Sequence, residues 1–114
     1  MITRFPGLTP TRSRAVVHDG LVFTAAVSPD PEPDFYQQTR KALRRIDESL
    51  ALSGTDKSRI LSALVYIADI AKKEEMNRAW DEWVDRANPP MRACLGVDLE
   101  PPHLVEIVVT AAKR

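Results

Sequence analysis

The sequence is short of most features that simple binding chemistries need. It has one cysteine, Cys94, so neither an internal disulfide nor a multi-cysteine metal site can form, and a lone thiol suits a reducing compartment. Its two histidines, His18 and His103, lie in separate segments without ligand spacing; each reads as a surface or turn residue, and no metal or organic cofactor is expected. The four glycines are scattered and form no phosphate-binding loop. Net charge is missing too: 16 basic residues balance 16 acidic ones, leaving no field for nucleic acid or acidic lipid. The one basic cluster, Arg40-Lys41 and Arg44-Arg45, is followed by Asp47 and Glu48 and reads as the wet side of a helix. No apolar run approaches the roughly 18 to 20 residues of a membrane span, and MITRFPGLTPTRSR contains no signal-like apolar segment, so a cytoplasmic location is expected.

What is present suits one domain over residues 1–114, with 44% hydrophobic residues to fill an ordinary core. In SRAVVHDGLVFTAAVS, residues 13–28, two β-prone runs flank Asp19-Gly20, a dipeptide favoured in two-residue hairpin turns. PDPEPD then takes the chain out of the sheet, and Asp34 is placed to cap a helix in which Phe35, Ala42, Leu43, Ile46 and Leu50 form the apolar stripe and Gly54 the stop. SRILSALVYIADI, residues 58–70, lacks polar alternation and reads as a strand buried on both faces, with a helix as the competing reading. AKKEEMNRAWDEWVDRA is a second amphipathic helix, with Met76, Trp80 and Trp83 on a core stripe, stopped by Asn88-Pro89-Pro90. Two further strand-like runs, separated by EPPH, complete a β-β-α-β-α-β-β order. The expected architecture is an α+β sandwich, two helices on one face of a sheet of four to six strands, with the other face solvated or covered by a second copy.

Each of the last two runs carries one ionic residue out of pattern. Strand alternation puts Met91, Ala93, Leu95 and Val97 on one face, the expected core, and Arg92, Cys94, Gly96 and Asp98 on the other, a floor suited to a small anion. In the last run Glu106 shares a face with Leu104, Val108 and Thr110; if buried, it has the tuning a general acid or base needs. From spacing alone the plainer reading is that Arg92 and Glu106 pair with each other or sit on a wet edge.

The ending PPMRACLGVDLEPPHLVEIVVTAA resembles the signature of the Rid (reactive intermediate deaminase, YjgF-like) family, in which an R-x-C strand is followed by P…l-v-E-i. The likeness extends to the GLVF run of residues 20–23, the helix ending near Gly54, the ADI…MNRAW segment with Asn77, and Asn88-Pro89-Pro90 before Arg92. It implies a chorismate-mutase-like homotrimer with a mixed sheet, the last strand inserted within that sheet, and a pocket at each subunit interface. There Arg92 would hold a substrate carboxylate, Glu106 would position or activate water, and Cys94, Asn77, Ala25 and Ala26 would line the pocket. The implied reaction is hydrolysis of 2-imino acids, formed from enamines such as 2-aminoacrylate, to 2-oxo acids and ammonia, without a cofactor. Two positions depart from the family pattern. Ala25-Ala26 stands where the deaminases carry Ser-Gly, and Pro10-Thr11-Arg12-Ser13-Arg14 lacks the usual tyrosine. A lost hydroxyl opens an alternative, a non-catalytic trimer that binds a small carboxylate.

Overall fold

Asp19 and Gly20 both take positive φ, 48° and 77°, and close the hairpin between β2 (Ser13–His18) and β3 (Leu21–Val27) at the expected place. The computed structural model describes residues 1–114. Around that hairpin lie β1 (Ile2–Pro6), α1 (Phe35–Leu52), β4 (Ile60–Ile67), α2 (Lys73–Trp83), β5 (Met91–Gly96) and β6 (Val105–Ala112). The strand β1 adds an element to the expected order. It pairs antiparallel with β2 and loses register between Phe5 and Pro6, where the proline has no N–H for the ladder.

The six strands form one sheet in the order β1-β2-β3-β6-β4-β5. All pairings are antiparallel except β4 with β5, whose parallel direction requires a crossover, and α2 provides it. The last strand lies between β3 and β4, as the resemblance implied, and EPPH does not close a hairpin. Because β6 is central, its Val105, Ile107, Val109 and Ala111 sit fully under the helices.

Both helices pack on the same face. Asp34 caps α1 by accepting the Gln37 N–H at 2.9 Å, and Gly54, with φ at 83°, follows its end. Leu43, Ile46 and Leu50 of α1 are buried with Met76 and Trp80 of α2 over Val65 and Ile107 of the sheet. Each such aliphatic side chain contributes about 1.5 to 3 kcal/mol through burial. Ala51, at the margin of the stripe, is exposed.

The opposite face is bare. Phe23, Leu64 and Leu95 point there and are 43%, 37% and 42% exposed, so β4 is covered on one side only. The expectation that Met91, Ala93 and Leu95 form core is overturned: Met91 is 73% exposed, while Arg92 and Cys94 lie on the helix side, in register with buried Ala63 and Val65. Alternation fixes which residues share a face; which face meets the helices depends on the partner strand.

Candidate functional site

On β6, Glu106 projects from the helix-free face between Val27 of β3 and Tyr66 of β4. It lines a cavity of about 770 Å³ with Ala25, Ala26, Arg12, Arg14 and His103. The opening exists because β2 pairs with β3 only as far as Thr24, leaving Ala25, Ala26 and Val27 a strand partner on the β6 side alone. The segment between β5 and β6 forms another wall and is anchored from below by Gln38 of α1. That buried amide donates to the carbonyl oxygens of Glu32 (2.8 Å) and Pro102 (3.1 Å) and accepts the Leu104 N–H (2.8 Å). Lys41 adds ion pairs to Asp30 and Glu32 at 2.9 and 2.8 Å, tying the loop after β3 to α1; the two carboxylates raise its pKa.

Thr24 does not supply the hydroxyl absent at Ala25. Its side chain is buried and donates to the Arg14 carbonyl oxygen at 2.7 Å.

Arg92 has a different setting, on the other side of the sheet. Its guanidinium carbon lies 5.2 Å from the Trp80 ring centroid, and Nη1 is 3.8 Å from the Met76 sulfur. Trp80 leans on Trp83 at 5.3 Å between centroids, and the Lys57 ammonium sits 5.3 Å from Trp83, giving a stack of two cations and two indoles. No carboxylate of the chain lies within ion-pair distance of Arg92. The plainer alternative, a salt bridge between Arg92 and Glu106 within one chain, is therefore absent. Cys94 follows on the same side, half-buried against the core. Gly96 gives no open floor, since a β-carbon there would stand 3.0 Å from the Ile70 side chain.

Asn77 is in a third place. Its amide nitrogen donates to Glu74 at 3.1 Å, its buried carbonyl oxygen has no partner, and it lines a groove with Arg78 and Asp81. One chain thus brings Glu106, Ala25 and Ala26 together, sets Arg92 with Cys94 under α2, and leaves Asn77 apart. Arg12 and His103 beside Glu106 are not among the expected site residues; Arg14, like Thr24, is offered by the sequence as a stand-in for the lost family groups. The only hint of Arg12 was the replacement of the usual N-terminal tyrosine segment by one holding Arg12 and Arg14. His, Cys, Asp and Glu side chains nowhere converge in threes, and no helix is long and apolar enough to cross a membrane.

Comparison with known proteins places these features in context. The family model described as Endoribonuclease L-PSP matches residues 8–113. A RutC family protein of Haemophilus ducreyi is 49% identical, the match covering 98% of this chain and 97% of that protein. The RutC family protein YoaB of Escherichia coli is 35% identical over 88% of this chain and 89% of its own. Among solved structures, a YjgF-family protein from Neisseria meningitidis superposes with a TM-score of 0.94 at 39% identity, covering 100% of this chain and 96% of the other.

Proposed function

The chain belongs to the Endoribonuclease L-PSP family, which includes the RutC, YjgF and Rid proteins, and from that premise we propose that it hydrolyses small 2-imino acids to 2-oxo acids and ammonia in pockets shared between copies of a homotrimer. The observation that carries the reading is Arg92: a guanidinium held against Trp80 and Met76 with no acid of its own chain beside it. Arginine binds a carboxylate through two parallel charge-assisted hydrogen bonds and so fixes its orientation. Glu106 sits on the opposite sheet face, with β4 between its strand and that of Arg92. A pocket containing both groups therefore needs one from each of two copies, and the bare apolar face bearing Phe23, Leu64 and Leu95 gives those copies a surface to join through.

The reaction asks little of the protein. A protonated imine carbon is electrophilic; water adds to it while the Glu106 carboxylate takes a proton from that water, giving a carbinolamine. Glu106 returns the proton to nitrogen and, again a carboxylate, takes the hydroxyl proton as the C–N bond breaks, so that ammonia leaves, the carbonyl forms, and the last proton passes to the departing ammonia as ammonium. Clamping the carboxylate and holding the water supply the orientation, and one acid/base supplies the proton transfers. The lone thiol of Cys94 suits a cytoplasmic setting.

The test is to generate imines from several amino acids with an amino-acid oxidase and follow 2-oxo acid release. We expect acceleration that falls at least about 100-fold in Arg92→Ala, the loss of one charge-assisted anchor. No acceleration for any imine, or full activity in Arg92→Ala, contradicts the catalytic reading.

One observation favours a second reading, a trimer that binds a small carboxylate without turning it over. Ala25 and Ala26 bring no hydroxyl to the cavity, and the hydroxyl of Thr24 is already engaged. Titration calorimetry with 2-oxo acids separates the cases: binding without imine hydrolysis supports this reading, and no binding at millimolar concentration removes it.

A further inference from the structure

The neutral total of the chain conceals a local segregation of charge. Beside the Glu106 cavity, and sharing Arg12, Arg14 and His103 with it, lies a recess of about 320 Å³ that Arg45 of α1 also lines. No aspartate or glutamate lines this recess. Arg14 is partly occupied, its Nε donating to Ser49 Oγ at 2.8 Å and its Nη2 standing 3.7 Å from Glu48. Arg12 and Arg45 have neither an ion pair nor a side-chain hydrogen bond. His103 contributes a buried Nδ1 without a partner. Glu48 meets only Arg14, so Arg12 and Arg45 leave the recess with an excess of positive charge that attracts an anion, and a buried ring nitrogen without a partner is costly.

We infer that this recess receives a second anionic group at the far end of the substrate, so that the preferred ligand is a dianionic 2-imino or 2-oxo acid and not a short monocarboxylate. The inference rests on the shared-pocket reading above, in which Arg92 of a neighbouring copy takes the first carboxylate. It accounts for the departures together. Ala25 gives up a hydroxyl and, with Ala26, lines the recess with apolar surface, while the segment without the usual tyrosine supplies Arg12 and Arg14 to line it. Each space, about 770 and 320 Å³, is of a size for a small metabolite or part of one, within the usual few hundred to about 1,000 Å³ of ligand pockets.

The experiment is titration calorimetry of the wild-type protein with 2-oxobutanoate, 2-oxoglutarate and the phosphonate isostere of 2-oxoglutarate. At least one dianion should bind about tenfold or more tightly than 2-oxobutanoate, the scale of one added charge-assisted pair. The tighter of the two identifies the distal group as carboxylate or phosphate-like. In Arg12→Ala/Arg45→Ala the preference should collapse toward one. Arg44→Ala, which removes the same charge from a different groove, should keep it. Equal or weaker binding of both dianions, or a preference that survives the double variant, overturns the inference while leaving the Arg92 clamp standing. Absence of binding for all three ligands overturns both.

Discussion

Arg92 and Glu106 leave the same sheet in opposite directions: Arg92 lies with buried Ala63 beneath α2, and Glu106 lies beside Tyr66 on the bare face. Two residues arranged this way act on one small molecule only if a second copy brings the missing half. Their separation turns a familiar pair of charges into a statement about assembly.

The Arg92 half of the site is sensitive to geometry as well as charge. Arg92→Lys keeps a cation near Trp80 but loses the planar fork, so kcat/KM for a 2-imino acid should drop by about 10- to 100-fold. Steady-state kinetics check this, and wild-type kcat/KM in the lysine variant would show that charge alone suffices.

The bare face should be the assembly surface. Leu64→Asp puts a carboxylate beside Ala93 and Val108, on the face that also bears Phe23 and Leu95, without disturbing the helix-side core. Light scattering after size exclusion should give the wild type a mass three times that of one chain, and the variant the mass of one chain with an unchanged helical spectrum. A variant that stays trimeric moves the interface elsewhere.

Much of this was legible in the sequence, for physical reasons that differ residue by residue. Asp19-Gly20 and Asp34 act through local backbone chemistry, so the hairpin and the helix start could be read from neighbouring residues alone. Strand parity likewise grouped Arg92 with Cys94 and set Glu106 beside Val108. The face each group points to was not readable, because it is set by pairing with β4, a distant segment. Similarly, β1 has few residues and no independent signal; it exists as a strand because β2 offers it an edge. His103 reaches the cavity through the loop held by Gln38, whose three partners lie 6 to 66 residues away.

That clamp gives a stability prediction. Gln38→Leu fills much of the same space but takes away the partners of the Leu104 N–H and two carbonyls at a part-buried place, which costs about 1 to 3 kcal/mol. Urea unfolding should show a lowered midpoint at an unchanged slope. A shift below about 0.5 kcal/mol would mean that the loop holds itself.

Acid resistance should depend on Asp56, far from the cavity. Hydrogen bonds from Ser58 and Arg114 hold its carboxyl pKa down at about 2, against an ordinary 3.8. A carboxylate depressed on folding contributes fully above its unfolded pKa, and that contribution is lost as pH falls from 3.8 through about 2. Asp56→Asn should therefore be less stable than wild type at neutral pH, with the difference shrinking across that acid window in thermal melts. A gap that stays constant down to the acid end would contradict the assignment.

The most direct test of the central claim is a mixing experiment. Arg92→Ala and Glu106→Gln chains, each inactive alone, are unfolded, combined in equal amounts and refolded as random trimers. If each pocket takes Arg92 from one copy and Glu106 from its neighbour, about one quarter of the pockets in the mixture regain both groups, and imine hydrolysis should return to about that fraction of wild type. A mixture as inactive as its parents would contradict a site shared between copies.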